Sequence, residues 1–86
     1  MNKFYVYMLV GFRNNRYISY VGYTKNLSKR LNLHNDSRGA KFTRGTKWKM
    51  VYKEMHNSKS KALKAEHKLK KNYVLRKKIK IKYLNG

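Results

Sequence analysis

This 86-residue chain has no cysteine, few acidic side chains and no long apolar run. Without cysteine it can form neither a disulfide framework nor a thiolate zinc site. No apolar run approaches the roughly 20 residues that a membrane-spanning helix needs, and no signal-peptide cleavage region follows the N-terminus. We therefore expect an intracellular protein with no membrane partner.

Acidic residues are scarce: 3 Asp and Glu stand against 23 Lys and Arg, a formal net charge of +20. Such a charge exceeds what solubility needs, and its self-repulsion works against compactness. It therefore indicates a polyanionic partner. An anionic membrane would favour cations opposite one broad apolar face, whereas here they are spread along the whole chain, which favours nucleic acid.

Material for a hydrophobic core is nevertheless present. The chain is 41% hydrophobic and 14% aromatic, with eight Tyr, which predicts a folded protein rather than a disordered one. A chain of 86 residues is expected to form one small domain of marginal stability. We assign its core to about residues 3–74 and a basic C-terminal tail to residues 75–86.

Two stretches near the N-terminus have the β-branched and aromatic composition of strands, Phe4 to Val10 and Tyr17 to Tyr23. Between them lies a polar segment, Gly11 to Arg16, with the turn-forming pair Asn14-Asn15. This order predicts an antiparallel hairpin.

Period-two alternation assigns strand residues to faces of the sheet. It puts Tyr20 and Gly22 on one face. If Tyr7 lies on the same face, two phenols stand side by side, but composition does not determine the pairing register of the two strands. A third strand is predicted over residues 48–55. Its residues predicted to share a face are Trp48, Met50 and Tyr52.

A short helix is predicted between the second and third strands, ending at about Asn35 and capped by Thr24 or Asn26. Leu27 and Leu31 form its buried stripe. Residues 36–46 form a basic loop whose backbone amides are available to phosphate. The cations of this region that we expect to contact the DNA backbone are Lys25, Lys29, Arg38, Lys41 and Arg44.

The second helix carries the most informative anomaly in the chain. Its start is one of three capping residues: Asn57, Ser58 or Ser60. Its inward face is predicted to hold Ala62, Glu66, Leu69 and Tyr73. Glu66 thus interrupts an apolar stripe in a chain with only two other acids. The tail from Leu75 to Tyr83 fits a helix, an edge strand or a disordered arm.

The stretch from Tyr20 to Asn35 concentrates reactive side chains, because Arg30 and His34 fall four residues apart on one helical face. Phosphodiester hydrolysis needs an aligned nucleophile, neutralised phosphate oxygens and a stabilised leaving group. Mg²⁺ commonly takes one or two carboxylates and completes its shell with water and substrate oxygens, so Glu66 alone is enough for a single ion.

Taken singly, each of these residues has a simpler explanation. Tyr7 and Tyr20 are most often packing residues of a strand, and a lone His34 is most often a surface or cap residue. Glu66 can pair with Lys70 four residues on, which contributes about 0.3 to 0.5 kcal/mol when exposed. The joint spacing changes this assessment.

Two triplets, Tyr5-Val6-Tyr7 and Tyr20-Val21-Gly22, are followed by Arg30, His34 and Glu66. In order and residue type this set resembles the GIY-YIG nuclease superfamily over nearly all of residues 4–73. Leu-Asn-Leu-His-Asn and the later Gly-Ala-Lys-Phe-Thr-Arg-Gly resemble the branch that holds small bacterial and viral stand-alone members and the Slx1 structure-specific endonucleases. The resemblance implies an α+β fold, a three-stranded antiparallel sheet flanked by helices.

The resemblance also implies roles for matching positions. Tyr7 would be general base or water-orienting phenol with Tyr20 as its partner, although which phenol acts as base stays open. The remaining implied roles are Arg30 on the phosphate, His34 assisting, Glu66 holding a single Mg²⁺ or Mn²⁺, and Gly22 as a structural glycine. Two departures stand out: Tyr5 replaces the first glycine, and the family's frequent late Asn has no match beyond the candidate Asn72. The zinc-binding domain that accompanies Slx1 enzymes is also missing, since the sequence has no cysteine.

We therefore expect a divalent-metal-dependent DNA endonuclease, selective for flaps, branches or single strands and working in DNA repair or recombination. Its partners would be the DNA backbone and a protein that provides specificity, and it would reside with DNA in the nucleoid, nucleus or viral replication site. The alternative is a noncatalytic basic nucleic-acid-binding module in which the tyrosines pack or stack on bases. A small RNA-binding or assembly protein ranks below both.

Overall fold

The computed structural model describes residues 3–85 as a three-stranded antiparallel sheet with three α-helices and one short 3-10 helix. The elements in chain order are β1 (Phe4–Arg13), β2 (Arg16–Thr24), α1 (Leu27–Asn35), the 3-10 helix η1 (Lys41–Thr43), β3 (Trp48–His56), α2 (Lys59–Lys71) and α3 (Tyr73–Asn85). The strand order is β2-β1-β3. The predicted α+β class and sheet are confirmed.

The β1–β2 hairpin turns on the pair predicted for it. Asn14 and Asn15 have φ angles of 53° and 63°, a left-handed conformation that asparagine tolerates and that two-residue hairpin turns require. The strands therefore extend to Arg13 and Arg16, further than the predicted polar segment allowed.

The hairpin register decides which tyrosines share a face. Tyr7 pairs with Gly22, and Leu9 pairs with Tyr20. Cross-strand partners project to the same side of a sheet, so Tyr7, Gly22 and Tyr20 lie together. The sequence left this register open, and the structure places the two phenols on one face.

The sheet is covered on both sides. On one face, which we call the site face, Tyr7, Leu9 and Trp48 are buried and the half-buried Leu27 and Leu31 of α1 pack against them. On the other face, α2 packs its buried side chains on the apolar residues of β1 and β2; the cluster there is Phe4, Val6, Met8, Val10, Val21, Ala62 and Leu69. Because β1 is central, it is apolar on both faces.

A β-bulge in β3 overturns one predicted face. Leu9 pairs with Met50 while Met8 pairs with Tyr52, so Val51 is an extra residue. Beyond it the alternation changes phase. Tyr52 therefore packs with the cluster opposite the site face, and the prediction that it shares a face with Trp48 and Met50 is wrong.

The structure shows which of the predicted capping residues begin α1 and α2. Asn26 caps α1 by accepting the Lys29 amide at 3.0 Å, and Ser58 caps α2 by accepting the Lys61 amide at 3.1 Å. Both bonds satisfy an otherwise unpaired amide of the first turn.

The predicted inward stripe of α2 is wrong at its last position. The helix ends at Lys71 with Asn72 as its C-cap, and Tyr73 begins α3 with 75% of its surface exposed. The tail that the sequence left open is therefore a helix, which packs Ile79 against the cluster opposite the site face. No helix within residues 3–85 is long and apolar enough to cross a bilayer.

Candidate active site

A buried hydrogen bond joins the central strand to α1 on the site face. The Tyr7 hydroxyl lies 2.8 Å from His34 Nε2, and the two residues are 1% and 0% exposed. His34 therefore lies inside the molecule rather than at the surface, and the structure brings together two residues 27 positions apart.

The tautomer of His34 follows from the hydrogen bonds of Thr43. The Thr43 hydroxyl donates to the Ala40 carbonyl at 2.8 Å, which uses its only proton. Its lone pairs accept the Ala40 amide at 3.2 Å and face His34 Nδ1 at 2.8 Å. With the hydroxyl proton on Ala40, the assignment that satisfies every one of these groups places the imidazole proton on Nδ1. Neutral His34 then presents a lone pair at Nε2, and the Tyr7 hydroxyl donates to it.

Two glycines make room for this pair. A Cβ atom on Gly22 would overlap the Tyr7 hydroxyl, and one on Gly39 would overlap the His34 ring at Nδ1. Any larger residue at either position would displace a member of the pair. The structural role predicted for Gly22 is thus a close approach by Tyr7, whereas the role of Gly39 was not predicted.

Tyr20 completes a group of three rings. Its ring centroid lies 6.5 Å from that of Tyr7 and 5.1 Å from that of His34. Burial raises the pKa of Tyr20, as does the Glu66 carboxylate, while the Arg30 guanidinium opposes the shift. The charges of Arg30 and Glu66 therefore both act on this ring.

The electrostatics of the buried pair favour neutral groups. Burial raises the pKa of Tyr7 well above that of an ordinary phenol; Tyr20 adds to the shift and Arg30 opposes it. Burial lowers the pKa of His34, and the positive charge of Arg30 lowers it further. At neutral pH the resting site thus holds an un-ionised phenol beside a neutral imidazole.

Glu66 is largely shielded from solvent, but it lies on α2, whereas Tyr7 lies on β1 and His34 on α1. Its side chain is 21% exposed, and one carboxylate oxygen lies 4.0 Å from Lys70 Nζ, the i, i+4 pairing considered above. Its charge nevertheless raises the pKa of both Tyr7 and Tyr20. The structure therefore turns this carboxylate away from bulk solvent and makes it part of the site's electrostatics.

The donor set suits a hydrated metal ion rather than a protein cage. Residues 3–85 contain no group of three or more His, Cys, Asp or Glu placed to hold a metal. Glu66 is a lone, largely shielded carboxylate, the minimum that Mg²⁺ accepts when water and substrate phosphate supply its other ligands. A single hydrated Mg²⁺ or Mn²⁺ at Glu66 fits this donor chemistry.

Four of the five predicted DNA-contacting cations fall into two groups. Lys25 and Lys29 line a hollow of about 410 Å³ together with Arg30, so a phosphate in that hollow would meet three cations. Lys41 and Arg44 are exposed at η1, between α1 and β3. The exposed Arg38 is paired with Asp36 at 3.3 Å.

The connection between α1 and β3 holds residues that the sequence did not single out. Phe42 stacks on Tyr20 with centroids 6.1 Å apart and an interplanar angle of 19°. Arg13 holds this segment by donating to the Phe42 carbonyl at 2.7 Å, and Trp48 Nε1 donates to the Thr43 carbonyl at 2.9 Å. The Gly-Ala-Lys-Phe-Thr-Arg-Gly run was the available signal, but it gave no chemical role to Thr43 or Phe42.

A family model described as the GIY-YIG catalytic domain matches residues 3–80. The chain belongs to the GIY-YIG family. The resemblance carried by the two triplets is therefore confirmed, and the match reaches into α3. GIY-YIG proteins are a family of nucleases, and the chain carries their catalytic domain.

Similar bacterial GIY-YIG proteins share the name UPF0213. One from Staphylococcus saprophyticus is 38% identical over 82 residues, covering 94% of this chain and 95% of that protein. One from Bacillus licheniformis is 47% identical over 53 residues, 60% of this chain and only 55% of that protein. One from Staphylococcus aureus is 40% identical over 63 residues, with 72% and 76% covered. No solved structure matches the chain.

Proposed function

We propose that this GIY-YIG protein is a divalent-metal-dependent DNA endonuclease that hydrolyses phosphodiester bonds. The observation that supports it most is the buried Tyr7–His34 hydrogen bond, in which Thr43 fixes the imidazole tautomer. A buried phenol needs a hydrogen-bond partner in any core, but here that partner is a titratable base whose ring nitrogen faces the hydroxyl. The same hydrogen bond supports Tyr7, rather than Tyr20, as the phenol coupled to a proton acceptor.

The pKa directions determine how such a pair can work. Even from ordinary values of 10.0 for the phenol and 6.5 for the imidazole, moving the proton from Tyr7 to His34 costs about 5 kcal/mol, and both shifts enlarge that gap. A free phenolate is therefore not the resting state. Instead, Tyr7 receives a proton from the attacking water as its own passes to His34 Nε2. The water oxygen bonds to phosphorus while the bond from phosphorus to the leaving oxygen breaks, and that oxygen departs with the bonding electron pair.

Arg30 supplies fixed positive charge beside this relay. Its planar guanidinium can bind two phosphate oxygens at once, which a lysine ammonium does not reproduce. Lys25 and Lys29 share its hollow and place two further charges near the DNA backbone. Arg30 thus orients the scissile phosphate while Tyr7 and His34 handle the proton.

Glu66 is the proposed metal ligand. When bound, Mg²⁺ or Mn²⁺ neutralises charge on the phosphate and the leaving oxygen. The half-exposed Lys70, 4.0 Å away, contributes only about 0.3 to 0.5 kcal/mol as an i, i+4 partner. That is too little to keep Glu66 from a divalent ion, so the ion pair with Lys70 does not oppose metal binding.

We further propose that the enzyme selects DNA by structure rather than by base sequence, at flaps, branches or single strands during repair or recombination. Its predicted DNA contacts are cations suited to phosphates, which position a duplex without reading it. A protein partner would add the specificity that a single small domain lacks. The enzyme would act wherever its DNA substrate resides inside the cell.

The test is cleavage of labelled flapped, branched, single-stranded and linear DNA in Mg²⁺, in Mn²⁺ and in chelator. Wild type is expected to cut in either metal and not in chelator, and both Glu66→Ala and Arg30→Ala are expected to abolish cutting. Asp36→Ala, which removes an exposed carboxylate outside the site, is the matched control and should retain cutting. Wild-type protein that binds these substrates but cuts none of them would support the noncatalytic binding module instead.

A further inference from the structure

A groove between β2 and α3 lies next to the active site and is not explained by the catalytic proposal. It has a volume of about 620 Å³ and is lined on the strand side by Arg16 and Tyr17 and on the helix side by Arg76 and Lys80. A second hollow of about 270 Å³ shares Arg76 and Lys80 and adds Tyr73 and Lys77. The two hollows therefore form one continuous surface, which we call the β2–α3 groove.

Positive charge in the groove is held in place on the strand edge. Arg76 donates to Ser19 Oγ at 2.9 Å and to the Lys70 carbonyl at 2.7 Å, and Lys80 Nζ donates to the Tyr17 carbonyl at 3.4 Å. None of these partners carries a negative charge. The guanidinium is therefore oriented by the fold while its charge stays available.

The chain's acidic residues lie elsewhere, so they do not neutralise this groove. Its sequence has only three, and each has a different basic partner. The three pairs are Asp36 with Arg38, Glu54 with His56, and Glu66 with Lys70. The uncompensated positive charge of the groove therefore suits an anionic ligand.

Exposed aromatic rings alternate with these cations. Tyr73 is 75% exposed, Phe42 50% and Tyr17 44%, and all three line the joined hollows. Cations beside exposed rings are the combination that binds single-stranded nucleic acid, because an unpaired base can stack on a ring while the backbone meets the charges. Bases in a duplex are stacked on one another and cannot do so.

We propose that the β2–α3 groove binds the single-stranded DNA that flanks the cleavage site, a proposal that rests on the proposed nuclease function. Phe42 connects the two regions because it stacks on Tyr20 and also lines the groove. A strand leaving Tyr20 can therefore pass over Phe42 and along β2 toward Tyr73. The groove gives this enzyme a preference for flapped or single-stranded substrates.

The test compares neighbouring residues of α3 by fluorescence anisotropy, with a short labelled single strand and the matching blunt duplex in chelator. Lys77→Glu reverses a charge inside the groove, and Lys78→Glu makes the same change outside it. Lys77→Glu is expected to weaken single-strand binding about tenfold and to reduce the slope of log affinity against log salt by at least about 0.7. Lys78→Glu should change single-strand affinity no more than about twofold.

Stacking is tested by Tyr73→Ala against Val74→Ala, two exposed positions at the start of α3. Losing one base–ring stack is expected to weaken single-strand binding about tenfold, with duplex binding and thermal stability unchanged. Equal effects of Lys77→Glu and Lys78→Glu, or of Tyr73→Ala and Val74→Ala, would overturn the groove. Equal losses on the single strand and the duplex would overturn its strand selectivity.

Cleavage separates this inference from the function on which it rests. If wild type cuts DNA but the paired variants bind alike, the groove is wrong and the nuclease stands. If the paired variants differ as expected but wild type cuts nothing, the nuclease is wrong and the groove is a single-strand binding site of a noncatalytic module.

Discussion

Replacing Thr43 with valine is the sharpest perturbation of the relay, because it removes one hydroxyl from behind the imidazole at nearly constant volume. Thr43 is 0% exposed, and its hydroxyl is the only partner that the structure gives His34 Nδ1 within residues 3–85. Without it, either the Nδ1 proton is buried unpaired or it moves to Nε2, where it opposes the Tyr7 hydroxyl. In the second case Nε2 has no lone pair left to accept the Tyr7 proton, and in the first the imidazolium that would form lacks a hydrogen-bond acceptor for its buried Nδ1 proton.

The expected size of the effect follows from what is lost. An orphaned buried donor costs about 1 to 3 kcal/mol of folding stability, and the hydroxyl also serves both backbone groups of Ala40. General base catalysis contributes about 10² to 10⁴ in rate, so we expect metal-dependent cleavage to fall by at least about 10²-fold. Substrate affinity should change little, because Thr43 does not face the hollow that holds Arg30.

The assay combines cleavage rates with nitrogen NMR of the His34 ring. Wild type should show neutral His34 protonated at Nδ1, and Thr43→Val should lose that signature together with activity. Thr43→Ser should restore both. Thr46→Val removes another buried threonine hydroxyl, which accepts from Arg13 at 2.8 Å, and serves as the control for losing a buried hydroxyl that does not contact His34. Thr43→Val protein that is folded and cleaves at the wild-type rate would refute the relay.

Three further predictions concern charge. Burial lowers the pKa of His34 in the folded protein, so the unfolded protein binds a proton at this histidine at a higher pH. We therefore expect the free energy of unfolding, measured with denaturant, to fall as the pH drops below about 6.5. His34→Gln should make this fall smaller, and an equal fall in the variant would contradict the prediction. The hydrogen bond to Glu54, together with burial, raises the pKa of Tyr52 to about 12. The stabilisation that this bond gives the folded protein should therefore be lost as the pH rises from about 10 to about 12. Tyr52→Phe should lose less unfolding free energy over that pH range in the same measurement. Added salt should weaken DNA affinity while raising the melting temperature through screening of the +20 charge; a lower melting temperature would contradict this account of the charge.

Short-range sequence patterns predicted the strands and helices because residues close by in the sequence determine where these elements begin and end. The Asn14-Asn15 pair can adopt left-handed conformations and so closes the hairpin, and side-chain oxygens at Asn26 and Ser58 begin the helices. The inward position of Glu66 also followed from helical periodicity. Each of these signals lies within a few residues of the feature that it determines.

The features that were mispredicted or missed depend on distant packing. The bulge at Val51 fits the apolar composition of β3 as well as a regular strand does. The break at Asn72 leaves Tyr73 exposed, although its spacing fits the stripe. Thr43 supports His34 only because the loop folds back over α1, a path that short-range patterns do not encode.

The most direct measurement of the central claim is the metal-dependent cleavage rate of Tyr7→Phe on a flapped DNA substrate. The substitution removes only the hydroxyl that donates to His34. Tyr52→Phe is its matched control, since it removes a hydroxyl bonded to Glu54 on the opposite face. The account predicts at least about a 10²-fold lower rate for Tyr7→Phe, with folding retained and the control near wild type. A Tyr7→Phe protein that cuts as fast as wild type would contradict it.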